Sequence, residues 1–445
     1  MAQAAQVCRR RSCPQPYLGT GLTGTFAEPF KPVPLEVCAL TRALILLLSV
    51  SCGVAVANVY FPQALSPLIA DDLHVSSASA AIVATCAQLG YALGILLLVP
   101  LGDRLRHRVL VPVLLALTCL GVVVAGTAPG LPLLAAAGAL VGLTTVVPQI
   151  LIPMAAGLAE PHRRGAVTGT LLSGLIGGIL LARAFAGTLG QWAGWRKPYF
   201  AAAALMLVLA VATAVALPRT APATGQRYPA LLAETWRLLR TEPLLRRSCQ
   251  YQALVFAAFS AAWTALALYV TGPHYDLGTP AVGVLALVGA GSMFATPVAG
   301  RATDRRGPDP VNLVCMVGAI ASGALLLTGE LGGAAGLIGL GAGMLLLDVA
   351  MQSGQVANQA RIFALRPEAR ARLNTAYMTC AFLGGSAGSW LGVRAYDAFD
   401  WPGVCALVAV LSGLALIRHV SRGRPPRKVS EAAVGVADAP VPERA

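Results

Sequence analysis

Two ionisable side chains stand inside long apolar runs of this sequence, where a charge costs free energy and is therefore a candidate for function. Asp348 lies within the apolar stretch 333–359, with Arg361 about 13 residues on and the other end of the stretch at a similar distance. A carboxyl there can gain and lose a proton, the simplest chemistry open to it. Gln352, Gln355 and Gln359 follow at offsets that put all four residues on one helical face. Such a stripe lines a water-filled cavity or packs against another polar surface. The alternative role for Asp348 is to pin helices together. Arg183, in the run 166–190, is the second charge. It can snorkel or bind carbonyls near the end of its helix, or pair with Asp348 or with an anionic ligand.

Uncharged polar residues within other apolar runs extend the set. Asn58, Tyr60 and Gln63 lie near the end of the run 42–65, and Gln149 follows Thr144 and Thr145 in the run 131–156. Gln88 and Trp263 are weaker candidates of the same kind. Other chemistries lack their residues. No Gly-x-x-x-x-Gly-Lys-Ser/Thr phosphate loop is present. The five histidines (His74, His107, His162, His274 and His419) are scattered, so no metal cluster and no cofactor is expected. Gly384-Gly-Ser-Ala-Gly388 spells a nucleophile elbow, but it sits in an apolar helix without a neighbouring histidine, so no enzyme is read from it.

The elements that must hold these residues follow from composition. Of 445 residues, 56% are hydrophobic and 12% charged, with a mean hydropathy of +0.70. Soluble domains carry about 25% charged residues, and the apolar runs here approach the ~20 residues that cross a bilayer as helix. The chain reads as an all-α membrane protein embedded in the lipid bilayer, with twelve spans. They are 42–65, 77–100, 109–127, 131–156, 166–190 and 198–217, then 249–271, 280–299, 310–329, 333–359, 373–394 and 402–418. The proposed divisions are a basic tail 1–41, a six-helix half 42–217, a linker 218–248, a second half 249–418 and a basic tail 419–445. The linker carries an amphipathic piece, Leu231 to Leu245, suited to the membrane surface.

Charge placement gives orientation. The net charge is +14, and its arginines gather in alternate loops: Arg104, Arg106 and Arg108, then Arg163 and Arg164, the linker, Arg301, Arg305 and Arg306, and Arg361 to Arg372. Basic loops stay in the cytoplasm, so both termini are expected there, and the charge calls for no nucleic acid. Lys31, Lys197 and Lys428 are the only lysines beside thirty arginines, a composition suggesting a GC-rich bacterial genome and hence the inner, plasma membrane. The ten cysteines offer no pair outside the cell, and Cys8 and Cys13 flank Arg9 to Arg11 in a basic tail.

Features recur about 200 residues apart, which argues for two related halves. Pro100-Leu-Gly-Asp-Arg-Leu-Arg-His-Arg108 follows span 2, and Gly300-Arg-Ala-Thr-Asp-Arg-Arg-Gly-Pro308 follows span 8. Gly177 and Gly178 precede Trp195 much as Gly384 and Gly385 precede Trp401. Gln149 and Gln352 lie at similar depths. The loops resemble the signature Gly-x-x-x-Asp-Arg-x-Gly-Arg-Arg/Lys of the major facilitator superfamily. Gly300, Asp304, Arg305 and Gly307 fit it, while the first copy keeps Asp103, Arg104 and Arg108 but has Val99 and Arg106 at the glycine positions.

The resemblance implies a major facilitator fold whose spans 1, 4, 7 and 10 surround a central cavity, with these loops as gates at the cytoplasmic mouth. Gly169-Thr-Leu-Leu-Ser-Gly-Leu-Ile-Gly-Gly178 resembles in part the antiporter motif of drug:proton exporters, with Ser173 and Gly174 replacing its central Gly-Pro. Small residues on one face, including Gly384, Gly388 and Gly392, equally serve close helix packing. The expected function is secondary active transport, with protons and a small amphipathic or hydrophobic compound as partners, exported by alternating access. Asp348 would carry the proton. Uptake by symport or facilitation is the alternative, and a transport-inactive sensor or scaffold is the alternative of another class.

Overall fold

The computed structural model describes residues 41–160, 163–218, 226–366 and 369–421. The basic tails, with Cys8, Cys13 and Arg9 to Arg11, lie outside these residues. Among the described residues there are helices and turns but no strands.

The first half contains α1 (Arg42–Leu73), α2 (Ser77–Leu97), α3 (His107–Thr127), α4 (Leu131–Thr144), α5 (Val147–Leu158), α6 (Arg164–Ala193) and α7 (Arg196–Ala216). Thr41 and Ser76 cap α1 and α2 through side-chain oxygens that accept backbone N–H groups. The first helix outruns the expected span by eight residues (73 against 65) because Pro62 and Pro67 are accommodated inside it. The fourth span is two helices rather than one. Pro148 has no N–H to continue the ladder, and the chain breaks at Thr145 and Val146. Thr145 Oγ1 there donates to the Ala55 carbonyl of α1 at 2.5 Å.

The linker helix α8 (Tyr228–Thr241) ends before the expected boundary, so Leu244 and Leu245 belong to the next span, α9 (Pro243–Thr271). The reason is Pro243, which biases the residue before it out of helical geometry; Glu242 is extended, with φ −96° and ψ 101°. The eighth span is α10 (Thr279–Gly289), a 3-10 turn (Ala290–Phe294) and α11 (Ala295–Arg306). Then come α12 (Pro308–Leu326), α13 (Gly333–Phe363) and α14 (Arg370–Val420).

Eleven helices among the described residues are long and apolar enough to cross a membrane. The last is 51 residues long, roughly 75 Å if straight and more than twice the ~30 Å hydrocarbon core. It turns at Phe399 and Asp400, whose backbone is not helical. That turn makes it two crossings, twelve in all.

The halves repeat their packing. In the first, α6 packs on α1, α2 on α4 and α3 on α7. In the second, α14 packs on α9, α10 and α11 on α13, and α12 on α14. Glycines seal the same seam in each half. A Cβ at Gly174 or Gly178 would strike Ser49 or Gly53 of α1, and one at Gly384, Gly388 or Gly392 would strike Ala253, Ala257 or Ala261 of α9. Between the halves, α14 lies along α2, α10 along α6, and α1 touches α9 and α10.

Candidate functional site: an arginine and an aspartate joined through an indole

Arg183 projects from α6 and is 1% exposed. Its Nε and Nη2 both donate to Gln63 Oε1 of α1, at 3.1 and 2.8 Å. The rest of the guanidinium is walled by aromatic faces. Its carbon lies 4.1 Å from the ring centre of Trp263, 4.9 Å from Tyr60 and 5.8 Å from Phe259. Ring faces attract a cation by about 0.5–2 kcal/mol each, more when water is excluded. This is how a span tolerates the charge.

The indole continues the connection. Trp263 Nε1 donates to Asp348 Oδ1 at 3.1 Å, and Asp348 is also 1% exposed. The second carboxylate oxygen abuts Gly289 at the end of α10, where any Cβ would collide with it. Arg183 and Asp348 feel each other electrostatically but form no direct ion pair. Arg183 Nη1, Gln63 Nε2 and Asp348 Oδ2 have no hydrogen-bond partner among the described residues. The cation and Gln63 belong to the first half, and the indole and carboxylate to the second. The attraction therefore acts across the boundary between halves, and it depends on Asp348 carrying its charge.

The glutamines after Asp348 meet polar groups rather than open space. Gln352 Nε2 donates to Ser292 Oγ in the 3-10 turn at 2.7 Å. Gln355 Oε1 accepts from Gln252 Nε2 of α9 at 3.4 Å, and Gln359 Nε2 donates to Asn374 Oδ1 of α14 at 3.4 Å. Gln252 in turn accepts from the Tyr377 hydroxyl at 2.9 Å. Asn374 Nδ2 also reaches Gln149 Oε1, at 3.4 Å, and so crosses between halves.

The sequence model of the Major Facilitator Superfamily matches residues 44–361. The chain belongs to the major facilitator superfamily. The uncharacterized transporter YgaY of Escherichia coli O157:H7 is 36% identical over 373 residues, which cover 84% of this chain and 94% of that one. A chloramphenicol resistance protein of Streptomyces lividans is 33% identical over 271 residues, 60% of this chain and 66% of the other. A mutant of the nucleoside transporter NupG shares the fold, with a TM-score of 0.68 at 14% identity, covering 84% of this chain and 98% of that one. The protein is therefore a multi-pass membrane transport protein and not an enzyme.

In this major facilitator chain the two signature loops differ in their contacts. Asp103, half-buried, lies within electrostatic reach of Arg372 at the start of α14. Arg372 Nε pairs with Glu234 Oε2 of α8 at 2.9 Å. Arg104 is exposed, and Arg108 donates to the Ala214 and Val215 carbonyls at 2.9 and 3.4 Å. Arg108 thereby caps the end of α7, within its own half. Asp304 and Arg305 are exposed and form no hydrogen bond or ion pair among the described residues. Gly307 ends α11 with φ +80°, and a Cβ on Gly300 would meet Val356 of α13 at an ordinary 4.0 Å. The ion pairs of this basic end come from other residues: Asp309 with Arg247 and Arg361, and Arg366 with Glu242.

At the opposite end the halves also touch. Thr279 Oγ1 of α10 donates to the Gly187 carbonyl of α6 at 2.8 Å. A Cβ on Gly187 or Gly283 would strike the facing helix. Arg183 and Asp348, each 1% exposed, are closed to solvent in this arrangement.

Proposed function

We propose that this transporter couples proton movement to export of a small amphipathic or hydrophobic compound, with Asp348 as the proton carrier. The observation that carries the reading is the chain Gln63–Arg183–Trp263–Asp348, which joins the halves through a group whose charge a proton cancels. With Asp348 ionised, the indole N–H and the guanidinium both favour the closed arrangement. Protonation removes the negative pole facing Arg183 and lowers the cost of separating the halves. Access to opposite sides then alternates around this point. The likeness to the chloramphenicol resistance protein favours export over uptake. On the same reading the basic end faces the cytoplasm, with both termini, in a bacterial plasma membrane.

Proteoliposomes carrying the purified protein test the proposal. Imposed proton gradients of either sign, with a panel of amphipathic compounds, should drive net movement of some compounds opposite to the proton. Movement with the proton would instead establish symport, and movement without proton flux would leave facilitation.

A further inference from the structure

A second site opens toward the lipid, away from Arg183 and Asp348. Between α1, α6 and α7 lies a groove of about 440 Å³, within the ~300–1,000 Å³ range of small-molecule sites. Val50, Leu181, Phe185 and Leu205 form its rim and are 41%, 59%, 44% and 42% exposed. On a membrane-spanning segment those faces meet hydrocarbon. Gly177, like Gly169 at the start of the 169–178 motif, packs against nothing: a Cβ built there meets no atom within 4 Å. It widens the groove instead of closing a helix seam, unlike Gly174 and Gly178 beside it.

Asn58 lines the same groove from the middle of α1. Its carboxamide is 1% exposed, and Nδ2 donates to the Val54 and Ala55 carbonyls at 2.9 and 3.2 Å. Those two acceptors fix which end is nitrogen. Oδ1 is left without a donor. A buried acceptor without a partner is costly, and neither lipid hydrocarbon nor the apolar walls can supply a donor.

We infer that this groove binds an uncharged amphipathic molecule drawn from the bilayer, its apolar body between α6 and α7 and one N–H or O–H donor on Asn58 Oδ1. A plain acyl chain fits the walls but leaves the oxygen unpaired. An ammonium matches the oxygen but is disfavoured at this depth in hydrocarbon. The site stands on its own geometry, independent of proton coupling, and its test reads binding, not transport.

The probes are a diazirine-bearing N-phenylbenzamide and the matching phenyl ester, which differ by a single N–H. The full-length protein in phosphatidylcholine–phosphatidylglycerol vesicles is irradiated with each, and the labelled peptides are mapped by mass spectrometry. The amide should label the 177–185 wall at least fivefold more than the ester. Asn58→Leu should abolish that preference while leaving residual labelling by both probes. Gly177→Leu, placed where a side chain has room, should fill the groove and cut labelling by the amide. Equal labelling by amide and ester in the wild type would overturn the proposal and leave a groove that only holds lipid chains. An amide preference that survives Asn58→Leu would overturn it as well, as would undiminished labelling in folded Gly177→Leu protein.

Discussion

Trp263 faces Arg183 with its ring, 4.1 Å from the guanidinium carbon, and faces Asp348 with its N–H, 3.1 Å from the carboxylate. One side chain therefore senses both charges, and its two contacts can be separated by substitution.

Trp263→Phe retains a ring for Arg183 and removes the donor to Asp348. A hydrogen bond to a charged group is worth about 1.5–3 kcal/mol, so roughly a tenfold or greater fall in gradient-driven transport is expected. Trp263→Leu, which removes both contacts, should also lower the yield of folded protein. Transport rate per folded molecule, measured for both variants, checks this, and wild-type transport by Trp263→Phe would remove the indole N–H from the mechanism.

Asp348→Asn fixes a neutral group of the same size. Proton-driven transport should disappear, while substrate counterflow, which requires no net proton movement, persists. The other acids cannot take over: Asp103 sits at the basic end with Arg372, and Glu330 accepts the Tyr269 hydroxyl at 2.9 Å near the opposite end. Paired assays in the same vesicles decide it. Loss of both activities would identify the carboxyl as a pin holding α13 to α9.

At the basic end, Arg372 links Glu234 of the linker helix with Asp103 of the first half, whereas Asp304 is unpaired in this conformation. Arg372→Gln should therefore lengthen the mean distance between spin labels at Leu105 and Arg370. Asp304→Asn should leave that distance unchanged, and any role for Asp304 in conformational exchange would then emerge in the transport rate. A lengthened distance in Asp304→Asn and none in Arg372→Gln would reverse this assignment.

Gln88 is 0% exposed where α2 meets α14, and neither end of its carboxamide has a partner. With a cost of about 1–3 kcal/mol for a buried unpaired group, Gln88→Met should stabilise the closed arrangement. The thermal unfolding midpoint in detergent should rise, while turnover falls as the halves separate less readily. A lowered midpoint would show that the amide is satisfied by a contact made in another state.

The spans and the repeat were legible because each rests on a strong local signal: apolar length, the sign of loop charge, and spacing. Asp348 and Arg183 were legible for the same reason, as charges in apolar surroundings. Their relationship was not. Periodicity gives the face a residue occupies but not the helix that face meets, so Trp263 read only as a weaker cavity candidate. Asn58 shows the same limit. Its helix carries Gln63 toward Arg183, yet Asn58 itself turns to the groove behind. Gln352 and Gln355, read as cavity candidates, are engaged by Ser292 and Gln252, whose polarity alone does not mark them as partners.

The surroundings of Arg183 also bear on how the protein is made. When α6 enters the membrane, Gln63 and Tyr60 are already synthesised, but Phe259, Trp263 and Asp348 are still to come. An arginine in a span costs up to about 2.5–3.5 kcal/mol on insertion scales, and within the first half only one carboxamide and one ring offset it. Until α9 is made, the guanidinium lacks the Phe259 and Trp263 faces that enclose it. The first half thus depends on the second for most of the shell around its buried charge.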